Sequence, residues 1–470
     1  MLEFHKKKPQ NPSKIDPEKR IKDFQEIYSQ FDKKASVEQS SRCSQCGVPF
    51  CQIHCPLNNN IPDWLKYIAE DRLEEAYQIS SSTNVFPEVC GRVCPQDRLC
   101  EGNCVVEQAG FGAITIGNLE KYLTELAWEK GWVKKIESNV SSKQKVAIIG
   151  SGPAGMAASS YLIQNGYLVD VFEKSDRAGG LMIYGIPNFK LDKSIVERRT
   201  EWLVKSGVNF HLNKEIGKDL SFQDLEKKYD AILISTGVYK ARKLDIETSN
   251  IDNSLPALDF LIESNKVGLG DTPSSNKYLN ARNKHVVVIG GGDTAMDCVR
   301  TAIRQKAKEV TCLYRRNKEN MPGSAREVLN AEQEGVKFNW LSVPSKVVSK
   351  DSEASSLSYK VATLGEADET GRRKPIDTGV EKQIKSDLVI QALGFEPEDL
   401  NANFNTNLEL TSWNTIKVDF KSFQTTNPKI FAAGDIVRGA SLVVWAIHDG
   451  REVAKSIHQF LQNNQIKKAS

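Results

Sequence analysis

The chain has 470 residues, with 63 Lys and Arg against 60 Asp and Glu and a net charge of +3. At about 150 residues per domain, this length predicts about three domains. The near balance of charge argues against nucleic acid as a partner. No stretch approaches the roughly 18 apolar residues of a membrane span, and the first residues carry no apolar segment typical of a secretory signal. We therefore expect a cytoplasmic protein with reduced thiols.

Two helices are predicted in the N-terminal part of the chain. Residues 17–31 carry apolar side chains at helical spacing, after an Asp-Pro pair that is typical of a helix start. Residues 62–79 show a second amphipathic pattern. The cysteine-rich segments lie between and after these helices, so we expect residues 1–140 to form a helical first domain.

Eight of the ten cysteines fall between Cys43 and Cys104. They form C-x2-C-x4-C-x3-C-P from Cys43 and C-x3-C-P-x4-C-x3-C from Cys90. This is a variant of the two-cluster ferredoxin pattern, in which thiolates hold [4Fe–4S] clusters. Structural zinc, disulfides and inert buried thiols are the alternatives, but there is one C-x2-C pair only and we expect a reducing compartment. The pattern favours two [4Fe–4S] clusters, and spacing alone does not assign their ligands.

From Lys145 the pattern changes to short apolar strands alternating with helices, which predicts a doubly wound α/β fold. The first strand is followed by G-x-G-x-x-G at Gly150, Gly152 and Gly155, and the next strand ends in Glu173. These glycines allow a tight turn, close approach of a pyrophosphate and packing of the helix on the sheet. The acid can accept hydrogen bonds from a ribose. The motif therefore predicts a dinucleotide site.

A second unit opens at His285 with a strand and the turn G-x-G-x-x-A. Its expected cofactor-binding residues are Gly290, Gly292, Asp293, Thr294 and Ala295. The next strand ends in Arg315 and Arg316, not in an acid. Because guanidinium groups can bind a 2′-phosphate bidentately, we expect this site to prefer NADPH over NADH. Two ordinary surface arginines are the alternative interpretation.

A third motif closes the first unit, where an apolar strand ends in Gly434-Asp435 before a predicted helix. It matches two-dinucleotide flavoproteins, in which the aspartate holds the flavin ribityl chain. Residues 235–237 and 392–394 match the crossover segments of that superfamily. We therefore expect FAD in the first unit and NADPH in the second. Further expected FAD contacts are Ala154, Gly180, Leu181, Gly185 and Val443.

The expected fold class is α/β, with a helical N-terminal iron–sulfur domain followed by two doubly wound dinucleotide-binding domains, one inserted in the other. The expected domains are 1–140 for the clusters, 141–280 and 389–470 for FAD, and 281–388 for NADPH. A β-rich edge of the NADPH domain is expected over 344–385. Hydride transfer from NADPH to the flavin should need no side-chain acid or base, so no catalytic residue is predicted.

The electrons need a one-electron exit, because a hydride carries two and an iron–sulfur cluster takes one. Outside the N-terminal region the remaining cysteines are Cys298 and Cys312, which form no C-x-x-C pair. A dithiol exit is therefore not expected. The predicted path runs from NADPH through FAD to the clusters.

With these motifs in place, the chain resembles the small (β) subunit family of NADPH-dependent glutamate synthases over essentially its full length. The matching stretches are residues 1–5, 42–51, 55–64, 90–95 and 179–187, with the glycine motifs. The resemblance implies an electron-input subunit that serves a large (α) subunit carrying FMN, which makes glutamate from glutamine and 2-oxoglutarate. The alternative is the flavin subunit of a dihydropyrimidine dehydrogenase or of an NADH-dependent ferredoxin:NADP oxidoreductase. The intact motifs disfavour a non-catalytic scaffold.

The resemblance also implies a ligand set for each cluster. The first cluster would take Cys43, Cys46, Cys51 and Cys104, and the second Cys55, Cys94, Cys100 and Glu120. A carboxylate is a hard ligand and unusual on a cubane, so both Glu120 and Cys90 stay candidates for the last position. A glutaminase with an N-terminal cysteine is not expected in this chain, since Leu2 follows Met1.

Overall fold

A computed structural model describes residues 1–138, 140–246, 251–369, 371 and 373–469 of the chain. The N-terminal part is helical, with short 3₁₀ turns at Glu3–His5 and Gln96–Arg98. Its helices are α1 (Pro17–Arg20), α2 (Lys33–Ser40), α3 (Phe50–Ile53), α4 (Ile61–Ala69), α5 (Leu73–Thr83), α6 (Pro87–Val93), α7 (Val105–Gln108) and α8 (Ile116–Glu129).

Both predicted N-terminal helices differ from the structure. The helix predicted over 17–31 ends after one turn, and the chain then returns beside residues 13–15, where the Ile15 N–H donates to the Ile27 carbonyl at 3.0 Å. Ile27 and Phe31 are buried from this non-helical segment, so their spacing reflected burial and not a helix. The helix predicted over 62–79 is the pair α4 and α5, because Asp71 between them is left-handed with φ 61°.

Strands and helices then alternate along the first dinucleotide-binding region. The elements here are β1 (Lys145–Ile149), α9 (Pro153–Gln164), β2 (Leu168–Phe172), α10 (Leu181–Tyr184), α11 (Lys193–Lys205), β3 (Asn209–His211), α12 (Phe222–Lys228), β4 (Ala231–Ile234) and β5 (Lys240–Ala241).

A second alternation follows and includes long antiparallel strands. Its elements are β6 (Ser254–Pro256), α13 (Ala257–Gly268), β7 (His285–Ile289), α14 (Asp293–Arg304), β8 (Glu309–Leu313), α15 (Ala325–Gln333), β9 (Lys337–Asn339), β10 (Ser342–Lys350), β11 (Glu353–Ala367), β12 (Arg373–Lys385) and β13 (Leu388–Gln391). The chain continues with β14 (Phe395–Glu396), α16 (Leu400–Phe404), β15 (Ile430–Ala432), α17 (Asp435–Arg438) and α18 (Val443–Ala469).

Two five-stranded parallel sheets form the centres of the two dinucleotide-binding domains. The first has the strand order β15-β4-β1-β2-β3 and the second β6-β13-β7-β8-β9. Along β1, Val146 and Ile148 join one buried cluster of side chains, whereas Ala147 and Ile149 join another. The first sheet is therefore covered on both faces, as parallel sheets are, and ligands are expected at the carboxyl ends of its strands.

The sheets correct two predicted domain boundaries. Strand β6 pairs with β13, so the second sheet begins before residue 281, and β13 lies across the predicted boundary at 388/389. The Gly/Ser/Asn-rich stretch 268–283, which suggested the first boundary, is a connection inside the second domain between α13 and β7. The return to the first sheet comes later, with β15. The strands β10, β11 and β12 form the antiparallel sheet expected near 344–385.

The N-terminal helices share a core with the first dinucleotide-binding domain. Phe86, Cys90 and Cys94 belong to the same buried cluster as Val444 and Ile447 of α18. Within the part of the chain that the structure describes, no helix is both long and apolar enough to cross a membrane.

Candidate redox site

A cavity of about 440 Å³ opens at the carboxyl ends of the first sheet. Nine of the predicted FAD residues line it: Gly150, Gly152, Ala154, Glu173, Gly180, Leu181, Gly434, Asp435 and Val443. Gly155 and Gly185 are not among the lining residues. Motifs that lie far apart in sequence therefore meet at one place in the fold.

The glycine turn after β1 has the geometry that a phosphate needs. Gly150 has φ 100°, and a Cβ there would lie 2.5 Å from the Ser235 carbonyl oxygen. A Cβ on Gly155 would lie 2.1 Å from the Gly150 carbonyl oxygen, so a glycine here allows the close packing of α9 on the turn. At Gly152 a Cβ would meet nothing within 4 Å. This open cradle at the start of α9 fits a pyrophosphate.

Glu173 has a double role at the end of β2. One carboxylate oxygen accepts hydrogen bonds from the Ser151 backbone N–H at 3.1 Å and from its hydroxyl at 2.6 Å, and the other accepts the Ser175 N–H at 2.9 Å. The carboxylate thus holds the glycine turn in place. Since an ionised carboxylate has about four acceptor positions, it can still accept a hydrogen bond from a ribose.

Asp435, the first residue of α17, also lines this cavity. Burial raises the pKa of Asp435 to about 6, although a hydrogen bond from the Ser441 N–H opposes the shift. The carboxyl group is therefore mostly ionised at neutral pH and available as an acceptor for a polyol chain.

Sequence reasoning missed one wall of the flavin cavity. Leu258, Asp259 and Ile262 of α13 line it, although α13 follows a strand of the second sheet. Tyr239 also lines the cavity, two residues after the predicted crossover segment. The apolar spacing of α13 indicates a buried helix, but it does not indicate that a helix packed with the second sheet also lines the cavity of the first.

The second glycine turn repeats the first. Gly290 has φ 149°, and a Cβ there would lie 2.3 Å from the Ala392 carbonyl oxygen, whereas a Cβ on Gly292 would meet nothing within 4 Å. Ala295 is fully buried in the first turn of α14, beside the half-buried Thr294. The Asp293 carboxylate accepts the Ser324 N–H at 3.0 Å. This turn also presents open backbone to a phosphate.

The two predicted 2′-phosphate ligands follow β8, the strand next to β7. Arg315 is exposed and Arg316 is half-buried. The Arg316 Nε atom is buried and has no hydrogen-bond partner within the described residues. A buried donor without a partner is costly, and a bound anion would satisfy it.

The proposed ligands of the second cluster line one cavity. Cys55, Cys94, Cys100 and Glu120 line it together with Cys90. Burial raises the pKa of Glu120 to about 8, and Asn84 donates a hydrogen bond to its carboxylate at 3.2 Å. Both candidates for the last ligand position therefore face the same space, one from α8 and one from α6.

The proposed ligands of the first cluster also lie close together: Cys43, Cys46, Cys51 and Cys104. Burial raises the pKa of Cys51 to about 12, with added repulsion from Cys43, Cys104 and Cys46. Such thiols deprotonate when a metal supplies positive charge, so the donor set fits a cluster. Among the described side chains, no three His, Cys, Asp or Glu residues are placed to hold one metal ion. A cubane takes its ligands at four separate corners.

The flavin cavity and the second cysteine cavity share a wall. Val443 lines the first and Val444 lines the second, at the start of α18. The two cavities therefore meet at the first residues of α18.

Family models match two parts of the chain. Residues 20–132 match the dihydropyrimidine dehydrogenase domain II, 4Fe-4S cluster family, and residues 144–450 match the pyridine nucleotide-disulphide oxidoreductase family. Among solved structures, FprA of Mycobacterium tuberculosis in complex with NADPH is similar, with a TM-score of 0.58 and 18% identity over 70% of this chain and 86% of that chain. These matches confirm the predicted fold class.

Curated relatives match nearly the whole chain. The glutamate synthase [NADPH] small chain of Azospirillum brasilense is 54% identical over 464 residues, covering 98% of this chain and 96% of the relative. The protein of the same name from Escherichia coli K12 is 44% identical, covering 97% and 96%. The chain therefore belongs to the family of NADPH-dependent glutamate synthase small chains, which are pyridine nucleotide oxidoreductases with a 4Fe-4S domain.

Proposed function

We propose that this chain oxidises NADPH and passes the electrons through FAD and two [4Fe–4S] clusters to a large subunit of glutamate synthase that carries FMN. The large subunit would use them to make glutamate from glutamine and 2-oxoglutarate. Family membership supports the role of electron input. The wall shared by the flavin cavity and the second cysteine cavity is the observation that carries the proposal.

The placement of the cavities gives the carriers an order. The second cluster would lie next to the flavin, across the wall at Val443 and Val444. The first cluster would lie beside the second, because Cys51 and Cys55, proposed as ligands of different clusters, lie on one short segment. Two cysteines of the first set, Cys46 and Cys51, are partly exposed, whereas in the second set only Cys55 is. Electrons would therefore leave through the first cluster.

The ligand sets are proposed as the family resemblance implies them. The first cluster would be held by Cys43, Cys46, Cys51 and Cys104, and the second by Cys55, Cys94, Cys100 and Glu120. All ten cysteines lie in the described part of the chain, and none forms a disulfide. Free thiols are consistent with cluster binding and with a cytoplasmic location, which we also propose.

The residues of the chain would bind and orient the two nucleotides. The turn at Gly150 and Gly152 would hold the FAD pyrophosphate, Glu173 a ribose and Asp435 the ribityl chain. The turn at Gly290 and Gly292 would hold the NADPH pyrophosphate. The bound flavin accepts a hydride and releases single electrons. Positioning of the two rings supplies the catalysis, with α13 as the wall that excludes water.

The experiment is anaerobic addition of NADPH to the purified chain after reconstitution with FAD, iron and sulfide. We expect rapid bleaching of the flavin absorbance and an iron content that corresponds to two clusters. A protein that binds no flavin, or a flavin that NADPH does not bleach, would contradict the proposal.

A second candidate is the flavin subunit of a dihydropyrimidine dehydrogenase, since residues 20–132 match that family's domain II. The two functions differ in the electron acceptor. Activity that needs uracil, and that no glutamate synthase large subunit supports, would favour this second candidate.

A further inference from the structure

The segment between two proposed ligands of the second cluster reaches the second nucleotide turn. Cys94 and Cys100 bracket the 3₁₀ turn Gln96–Arg98. The Arg98 guanidinium Nη1 donates to the Pro322 carbonyl at 2.7 Å, and Nη2 lies 3.6 Å from an Asp293 carboxylate oxygen. Asp293 is the first residue of α14, directly after Gly292. The iron–sulfur domain thus places a cation at the turn proposed to bind the NADPH pyrophosphate.

The ion pair of this arginine adds little stability by itself. The N-terminus of α14 carries a partial positive charge, which repels a cation. Its ion pair with Asp293 is long and half-exposed, with 46% and 36% of the two side chains accessible, so the pair adds little stability. A dianionic pyrophosphate at the helix start would attract the guanidinium and outweigh its repulsion by the helix N-terminus.

Asp293 carries a negative charge at the same helix start. A carboxylate beside a pyrophosphate would repel it unless a cation is paired with the carboxylate. One Asp293 oxygen holds the Ser324 N–H and the other faces Arg98. Arg98 would therefore neutralise Asp293 while offering further N–H donors, since a guanidinium carries five.

A loop fixes this arrangement. The Gly323 N–H donates to the Gly291 carbonyl at 2.9 Å, which places residues 322–324 against the glycine turn. The half-buried Arg326 donates to the Gln96 side chain at 3.0 Å and to the Arg92 carbonyl at 3.3 Å. Arg326 thus joins the two domains beside Arg98, and the hydrogen bond to Pro322 holds the Arg98 guanidinium near the turn.

We propose that Arg98 is a binding residue for the pyrophosphate of NADPH, supplied by the ligand loop of the second cluster. This inference rests on the proposed function. Because a pyrophosphate is common to NADPH and NADH, Arg98 would contribute to both affinities equally. Arg315 and Arg316 would instead distinguish the two nucleotides.

The test measures binding of NADP⁺ and NAD⁺ to the reconstituted protein by calorimetry, so that it does not depend on turnover. Arg98→Gln should weaken both affinities about tenfold, in the range of a charged hydrogen bond. The flavin spectrum and the melting temperature should stay unchanged, since the side chain is half-exposed. Arg282→Gln is the matched control, because this exposed arginine precedes β7 at the end of the strand opposite the turn; its affinities should equal the wild type.

A second readout follows the cluster. NADP⁺ should alter the EPR signal of the reduced second cluster in the wild type and not in Arg98→Gln. Affinities of Arg98→Gln within twofold of the wild type, with normal flavin reduction, would overturn the inference and leave the proposed function intact. A wild-type protein that binds neither nucleotide would overturn both.

Discussion

Glu120 and Cys90 are the two candidates for the last ligand position of the proposed second cluster. Both line the cavity that holds Cys55, Cys94 and Cys100. Burial raises the pKa of Glu120 to about 8, so an uncharged or metal-bound form is favoured over a bare carboxylate. We expect the carboxylate to be the ligand and the Cys90 thiol to be spare.

Two variants test this assignment. Glu120→Ala should lose the iron of one cluster, because no other proposed ligand replaces the oxygen, whereas Cys90→Ser should keep the full iron content. Iron and sulfide analysis with EPR of the reduced protein gives the answer. Loss of one cluster from Cys90→Ser alone would show that the thiol is the ligand.

The arginines after β8 set nucleotide preference in this account. The buried Arg316 Nε atom, with no partner among the described residues, is the observation behind it. Replacing Arg315 and Arg316 with glutamine should raise the Michaelis constant for NADPH about tenfold and leave that for NADH nearly unchanged. Steady-state kinetics with both nucleotides tests this. Equal effects would indicate that the arginines do not contact a 2′-phosphate.

Motif residues were predictable because their backbone requirements are local. The turns at Gly150 and Gly290 need a positive φ and close approach, and both requirements are visible in G-x-G-x-x-G/A. The wall formed by Leu258, Asp259 and Ile262 was not predictable in this way. This wall depends on how the two domains pack, and no residue type or spacing in the sequence predicts that contact.

At the scale of elements, α1 ends at Arg20, whose side chain enters a buried charge cluster with α14 and α15. Arg20 donates to the Glu334 carboxylate at 2.7 Å, and Arg300 and Arg304 donate to the same carboxylate. All four side chains are inaccessible to solvent. One acid therefore joins the N-terminal domain to the helix that begins at the second nucleotide turn.

Removing that acid should be costly, because three buried guanidinium groups would lose their shared partner. We expect Glu334→Gln to lower the free energy of unfolding by about 3–5 kcal/mol. The control Glu309→Gln breaks an exposed pair with Lys337 and should change it by at most about 1 kcal/mol. Urea unfolding followed by tryptophan fluorescence compares them, and equal effects would contradict this role of Glu334.

The same cluster predicts sensitivity to acid. Burial alone would raise the pKa of Glu334, but hydrogen bonds from Arg300 and Arg304 outweigh it and lower the pKa to about 2, from an ordinary value of 4.5. Because the pKa of Glu334 is lower in the folded protein than in the unfolded chain, its ionised form stabilises the fold at a pH above the ordinary pKa. This stabilisation is lost as the pH falls from the ordinary pKa toward the pKa in the folded protein. Between pH 4.5 and 2 the wild type should lose stability more steeply than Glu334→Gln. Parallel pH curves would count against this coupling.

At the scale of the whole molecule, three regions pack into a chain of cofactor sites. The order of the units and their insertion were predictable from the motif order, since the closing Gly434-Asp435 segment must return to the first sheet. The boundary at 280 was wrong because loop composition at 268–283 resembles a linker, whereas membership of β6 in the second sheet depends on pairing with a strand more than a hundred residues away.

The central claim is that electrons from NADPH leave this chain for a glutamate synthase large subunit. The most direct measurement is NADPH oxidation by the reconstituted chain, with and without that subunit. We expect oxidation that depends on the large subunit and on glutamine together with 2-oxoglutarate. Oxidation that no large subunit supports, but that proceeds with uracil or ferredoxin, would contradict it.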